Sequence, residues 1–512
     1  MKRRKHLFIV CIVILAGSIM PSCTKLDKKI YSVEPVGNFY QTPDQLKAGI
    51  APAYIALQAI PDGNVMNMNE ITSDEIIVPT RGNDWYDGGQ WQGLWLHKFK
   101  PDVFVDGGWS DLNNGIGKVN FTLNILNGLT SKPSNYNAVV AELKVLRAFF
   151  IYQLMDMFGN IPLVTDYNTD PSKVTQQDRA AVYQFLENEL TTNVPLLTNT
   201  VDATTYGRLT QYAGYMLEAK LYMNAQVYTG TAQWAKAITA LNQVISSNKY
   251  SLQPNYLDNF STANEGSLEN IFVVPYDKIN IGGMNWEMQT LHYQSQDTYG
   301  LTGSPWNGFC STADVYNKYD VADVRRTQFL VGQQYDADGV TPLKDKQTGL
   351  NLVFNPNVTT LSSAADAFRL AGARNVKYHP QAGTAGNQSN DGVIFRLADA
   401  YLMLAEASMR TGDMATAVTA ANKVRARAGV AAWTASDITP KNLLDERSRE
   451  LMWEGWRRQD LIRFEVATPS IHYFTGLRTP AKTDDGTQNT FIFPIPAPEL
   501  LSNPNLHQNP GY

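Results

Sequence analysis

The chain has 512 residues, a formal net charge of −5, 44% hydrophobic residues and 3 cysteines. The acid excess, with no basic patch past the first residues, excludes a nucleic-acid binder, which needs clustered Lys and Arg to neutralise phosphates. Charged residues make up 18% and aromatics 11%, a balance that suits neutral, hydroxylated ligands better than polyanions.

In chain order, the first segment reads as an export signal. Lys2, Arg3, Arg4 and Lys5 precede an apolar stretch from Leu7 to Leu15, then Ala16, Gly17, Ser18, Pro21 and Ser22. The stretch is too short for a bilayer, which takes roughly 20 residues, and has the layout of a secretory signal. Cys23 follows at a position that resembles a bacterial lipobox. Residues 1–22 are therefore expected to be a lipoprotein signal peptide, and residues 23–35 a tether lipidated at Cys23. With Cys11 removed and Cys23 acylated, Cys310 remains alone and no intramolecular disulfide can form. Its sequence neighbours hold no His, so a buried, inert thiol is the expectation.

Beyond the tether, residues 36–512 read as a single globular domain, mainly α. Thr42-Pro43-Asp44 opens a helix over Gln41–Leu57. Tyr136–Phe158 places Val139, Leu143, Leu146, Phe150 and Leu154 on one face and stops at Gly159-Asn160-Ile161-Pro162. Helices over Arg179–Leu190, Gln211–Tyr228 and Gln233–Ser246 follow. Tyr212–Val244 and Ala398–Val424 are each helix, short turn, helix, with Ala and Gly on the facing surfaces. Both are similar to tetratricopeptide repeats of about 34 residues, and Leu143–Leu190 reads as a degenerate third pair. Such antiparallel helix pairs would form a scaffold. Between 251 and 396 the period is lost, and Gly, Asn, Pro and aromatics surround short extended pieces such as Ile271–Val274. This is expected to be a loop-rich, ligand-facing subregion with short strands.

The chemical search finds no H-E-x-x-H, C-x-x-C, P-loop or nucleophile elbow. No catalytic residue, metal ligand or cofactor site is expected. Aromatics instead cluster in two loop regions. Trp85, Tyr86, Trp91, Trp95 and Trp109 lie in one, and Trp286, Tyr293, Tyr299 and Trp306 in the other. Trp91, Trp95 and Trp109 alternate with apolar residues and are expected to pack inside. Trp85, Trp286 and Trp306 are flanked by polar and turn residues and are expected to be exposed. Flat aromatic faces pack on the C–H faces of sugars, and Asp74, Arg81, Asn83, Asp84 and Asn307 are candidate polar partners.

The C-terminal motifs are specific. Leu397-Ala398-Asp399-Ala400-Tyr401-Leu402-Met403-Leu404-Ala405-Glu406-Ala407 precedes Leu443-Leu444-Asp445-Glu446-Arg447-Ser448-Arg449-Glu450-Leu451. Then come Glu454-Gly455-Trp456-Arg457-Arg458-Gln459-Asp460-Leu461 and the closing Gln508-Asn509-Pro510-Gly511-Tyr512. Arg447, Glu450 and Glu454 are spaced to share a helix face and read as structural ion pairs. In order, spacing and terminal position these motifs resemble the SusD/RagB family of outer-membrane nutrient-binding lipoproteins. The resemblance implies a binding protein rather than an enzyme. It implies a neutral glycan ligand drawn from both aromatic regions and anchoring in the cell outer membrane, facing the cell surface. It also implies a SusC-like TonB-dependent transporter as partner, to which captured oligosaccharide is handed. Two alternatives stay open: the same architecture binding a peptide or another nutrient, and a secreted glycoside hydrolase.

Overall fold

The computed structural model describes residues 39–480, 482–484 and 486–512. The signal segment, Cys23 and the tether lie outside the described residues. Helices dominate, as the sequence predicts, and the strands form small two-stranded sheets.

The first expected helix is broken. Helix α1 (Pro43–Gly49) starts from a capping box between Thr42 and Gln45, then yields at Ile50 to α2 (Ala51–Ile55) and a 3-10 turn, Ala56–Ala59. Pro52 lacks the N–H that a continuous helix would direct at the Ala48 carbonyl. After α3 (Asn64–Ile71) comes a long helix that the sequence pattern hides, α4 (Val103–Asn127). Its Gly and Asn content is poor for an isolated helix. Those glycines are what let it pack: a Cβ on Gly108 would meet Met68 Sδ at 2.6 Å, and one on Gly115 would meet the Phe150 ring at 2.5 Å.

The three expected hairpins are present. Helix α5 (Tyr136–Phe158) packs on α6 (Arg179–Asn193), and α7 (Gln211–Met223) on α8 (Trp234–Ile245). The irregular subregion intervenes, carrying short pieces such as α9 (Trp286–Thr290). Then α10 (Leu397–Thr411) packs on α11 (Met414–Arg427), and α8 packs against α10 to continue the stack. Ala219, Ala237, Ala405, Ala417 and Ala421 are fully buried, so small side chains set the spacing between helices. Gly412 ends α10 with φ 86°, where a left-handed residue closes the helix, and Asp413 accepts from the Thr416 N–H at 3.1 Å to start α11.

The subregion is tied at both ends. Strand β1 (Asn270–Val274) pairs antiparallel with β2 (Gly392–Arg396), Val273 lying opposite Val393. Helices α12 (Pro440–Leu451) and α13 (Arg457–Ala467) supply the ion pairs read from sequence. Glu450 meets Arg325 at 3.0 Å and Arg396 at 2.5 Å, and Arg427 as well. Arg447 bridges Asp399 at 2.9 Å and Asp460 at 2.7 Å. These partners come from distant segments, so the charges cross-link the fold rather than line one helix face. The tail after residue 490 lies along the body: Phe493 N–H bonds the Met157 carbonyl at 2.8 Å, and Asn509 Nδ2 bonds the Phe158 carbonyl at 2.8 Å.

Candidate functional site

The two aromatic regions meet, as a layered arrangement rather than an open row. Arg81 and Asp84 close a turn through reciprocal main-chain bonds of 3.0 and 3.1 Å. After it Trp85, Asp87, Gly88 and Gly89 all have positive φ. This run throws Trp85 back over the 306–309 segment. Its indole Nε1 donates to the Trp306 carbonyl at 2.7 Å. Its ring lies on Gly308, where any Cβ would come within 2.3 Å of it. The expectation that Trp85 is exposed is corrected: it is half-buried, because its ring packs 5.2 Å from Trp91 and 5.5 Å from Phe309.

Phe309 is the centre of an inner aromatic column, also touching Trp91 at 5.5 Å and Trp286 at 5.8 Å. Trp286 is only 2% exposed, stacks toward Trp453 at 5.1 Å and donates to the Pro61 carbonyl at 3.0 Å. The expectation that it is exposed is therefore corrected: its polar neighbours turn inward, the Asn285 side-chain amide donating to Asp62 at 3.2 Å and Glu287 lying in the interior at 1% exposure. Trp91, Trp95 and Trp109 are buried, as expected. The outer face carries Trp306, 44% exposed, and Tyr86, 61% exposed.

Asp84, the residue before Trp85, belongs to a polar cluster. Tyr293 O–H donates to the Asp84 carboxylate, and the Arg369 guanidinium lies 5.1 Å from the centre of the Tyr293 ring. Burial and the Asp84 charge push the Tyr293 phenol up to about 12, so it stays a donor. Arg369 reaches toward Asp84 at 3.7 Å and is held from behind by Asp345 at 2.7 Å. Asn83, the residue before Asp84, is exposed. Beyond Asp87 the same loop edges a cleft of about 190 Å³ that runs to Lys98, Phe99 and Lys100.

Four other candidates sit differently. Arg81 is 1% exposed and Asn307 fully buried, so neither meets a ligand directly; both bond main-chain groups inside. The Asp74 carboxylate is taken up by Arg457 at 2.6 Å and Lys318 at 2.8 Å. Burial opposes its ionisation, but those two cations hold it well below the usual carboxylate range. Tyr299 is half-buried against Leu291, Leu301 and Val376, with its ring 6.0 Å from His379. Sequence reasoning missed Arg369 and Phe309, since nothing local marks either as a neighbour of Asp84 or Trp85. Among the described residues no group of His, Cys, Asp and Glu is placed to hold a metal ion.

The comparisons with known proteins agree with this architecture. Over 99% of both chains, this one is 26% identical to the starch-binding protein SusD of Bacteroides thetaiotaomicron. Two SusD-like proteins of Formosa agariphila are each 23% identical over 100% of both chains. In backbone it is similar to surface glycan-binding protein A from Bacteroides thetaiotaomicron, solved in complex with laminarihexaose. That likeness has TM-score 0.72 and 22% identity, and covers 91% of this chain and 99% of that one. A laminarin binding SusD-like protein is similar at TM-score 0.72 and 24% identity, over 92% of this chain and 100% of that one. A family model described as starch-binding associating with outer membrane matches residues 27–223. The SusD family model matches residues 224–512, more than half of the sequence, and the chain belongs to that family.

Proposed function

We propose that the protein is a glycan-binding lipoprotein of the outer membrane, which captures oligosaccharide at the Trp306–Tyr86 face. The observation that carries this reading is Trp306. It is a 44% exposed indole whose main-chain carbonyl is bonded by Trp85, and the residue before Trp85, Asp84, joins a carboxylate to a phenol and a guanidinium. A pyranose can lay its C–H face on the indole while its hydroxyls exchange hydrogen bonds with Asp84, Arg369 and Tyr293. Pockets that recognise ligands combine an apolar wall with a few placed polar groups in this way. The names of the similar proteins, starch-binding and laminarin binding, support a glycan as the ligand class.

Anchoring through Cys23, a surface-facing orientation and delivery to a SusC-like TonB-dependent transporter belong to the same proposal. They rest on family membership and on the N-terminal sequence. Binding is the whole of the activity in this reading, and the alternatives of a peptide ligand or a glycoside hydrolase are separated by experiment. Calorimetry with starch, laminarin and other plant, host and microbial oligosaccharides tests it, with peptides as the contrasting panel. Saturable binding of one glycan class without turnover is the expected outcome. Binding of peptides alone, or cleavage of the bound glycan, refutes it.

A further inference from the structure

Beneath the face lie two buried guanidiniums that the binding chemistry does not use. Arg81 is 1% and Arg374 0% exposed. Their hydrogen-bond acceptors are not carboxylates. Arg81 Nη1 donates to the carbonyls of Asn307 at 2.9 Å and Gly308 at 2.8 Å, and Nη2 to the Ala371 carbonyl at 2.8 Å. Arg374 Nη1 donates to the carbonyls of Ala371 and Gly372, each at 2.7 Å, and Nη2 to Asn307 Oδ1 at 2.8 Å. Asn307 Nδ2 returns a bond to the Arg369 carbonyl at 3.0 Å. Asn307 itself has φ 56°, a left-handed conformation that is unfavourable for a residue with a Cβ.

Burying cations without a counter-charge is unfavourable. Burial and the neighbouring Arg81 charge lower the Arg374 guanidinium to about 9. A segment kept in a strained conformation by charged donors needs a reason, and strain of this kind is held where the surroundings over-determine it. Its consequence here is the placement of Trp306. The neighbouring Asn307 is fixed on both its carbonyl and its side chain, and Gly308 carries the Trp85 ring.

We propose that Arg81 and Arg374 are positioning residues for glycan binding, Arg81 acting through the main-chain carbonyls of Asn307 and Gly308 and Arg374 through the Asn307 side chain, to fix the presented indole of Trp306. This rests on the proposed glycan-binding reading. A lysine keeps the charge but presents one compact ammonium in place of a planar fork, so it cannot hold two loops in the same geometry. Arg81→Lys and Arg374→Lys are therefore expected to weaken the best glycan by about tenfold, a change of about 1.4 kcal/mol.

A double-mutant cycle with Trp306→Ala separates positioning from general loosening. If the arginines act through Trp306, each lysine variant costs less than about twofold in the Trp306→Ala background. An equal loss in both backgrounds overturns the proposal. Should Arg374→Lys fail to fold, Asn307→Gly carries its cycle, since it removes the Oδ1 acceptor of Arg374 while tolerating the left-handed φ; should Arg81→Lys fail to fold, Arg81→Gln, which keeps an amide donor, carries the cycle for Arg81. A second readout, the fluorine resonance of Trp306 in protein labelled with 5-fluorotryptophan, needs no ligand. If the unaltered protein binds no glycan, the functional reading fails. The positioning claim is then decided by that resonance alone: it shifts or broadens in the lysine variants if the claim holds, and an unchanged resonance overturns it.

Discussion

Trp306 and Trp286 look alike in sequence, and the structure predicts opposite consequences for losing them. Trp306 exposes 44% of its surface, and the group that Trp85 needs from it is its main-chain carbonyl. Trp306→Ala therefore removes the ring and keeps the hydrogen bond. Surface substitutions of this sort change stability by about 0.5 kcal/mol or less. Base–aromatic stacking contributes about 1–3 kcal/mol per ring, and a sugar at the lower part of that range gives a loss of roughly tenfold in affinity. Trp286 is 2% exposed, lies between Phe309 and Trp453, and donates to Pro61. Truncating such a residue leaves a cavity and costs about 3–5 kcal/mol, read as a lower urea midpoint. Glycan calorimetry and urea unfolding on both variants test the pair. If Trp306→Ala binds as tightly as the unaltered protein, while Trp286→Ala loses binding at unchanged stability, the assignment of inner and outer rings is wrong.

Other outcomes are set by the fold. Cys23→Ala should release the protein from the membrane fraction without loss of folding; retention of that variant in the absence of a partner contradicts the anchor. Ala405→Trp, at a fully buried position of α10, should overpack the stack and destabilise by roughly 1–3 kcal/mol or more, checked by urea unfolding. Glu446 is buried, which alone would raise its pKa, but Arg325, Arg449 and Arg425 lower it from 4.5 to about 2. A depressed acid contributes stability that is present above pH 4.5 and lost as pH falls through about 2. Glu446→Gln should therefore be destabilising at pH 7 and show a shrinking difference from the unaltered protein as pH falls toward 2. A difference independent of pH counts against the ion-pair account.

The helical stack is legible in the sequence because its signals are local. The apolar spacing of Val139 to Leu154, the breakers after Phe158 and the alanine pairs at Ala398–Val424 each act within a few residues of themselves. Helix α4 is not legible, because its glycines lower helix propensity and are repaid only by contact with Met68 and Phe150, which no local pattern reveals. The same division runs through the site. Trp306 is exposed as its polar and turn-forming neighbours suggest, although Pro305, Asn307 and Gly308 beside it are themselves buried. The same rule fails at Trp286, because Asn285 and Glu287 find their surroundings inside the protein. Arg81 and Asn307 look like ligand contacts because they are polar residues in aromatic loops. Their partners lie far along the chain, Arg81 on Gly308 and Ala371, and Asn307 on Arg369 and Arg374.

The way the irregular subregion is attached explains how such a site can vary on a constant frame. Its two ends are zipped together by β1 and β2, and Arg396 at the end of β2 bonds Glu269, Glu450 and Glu454 at 2.7, 2.5 and 2.7 Å. Removing one partner from such a buried group costs about 3–5 kcal/mol, so the attachment resists change. Between those ends, Trp306 and Arg369 are carried on loops clamped by Arg374 from within the subregion and by Arg81 and Trp85 from outside it. A loop exchanged inside that closed base alters what the face can bind and leaves the stacking of α5 to α8, α10 and α11 untouched. On the proposed reading, the scaffold then says less about the ligand than the few residues around Trp306 do.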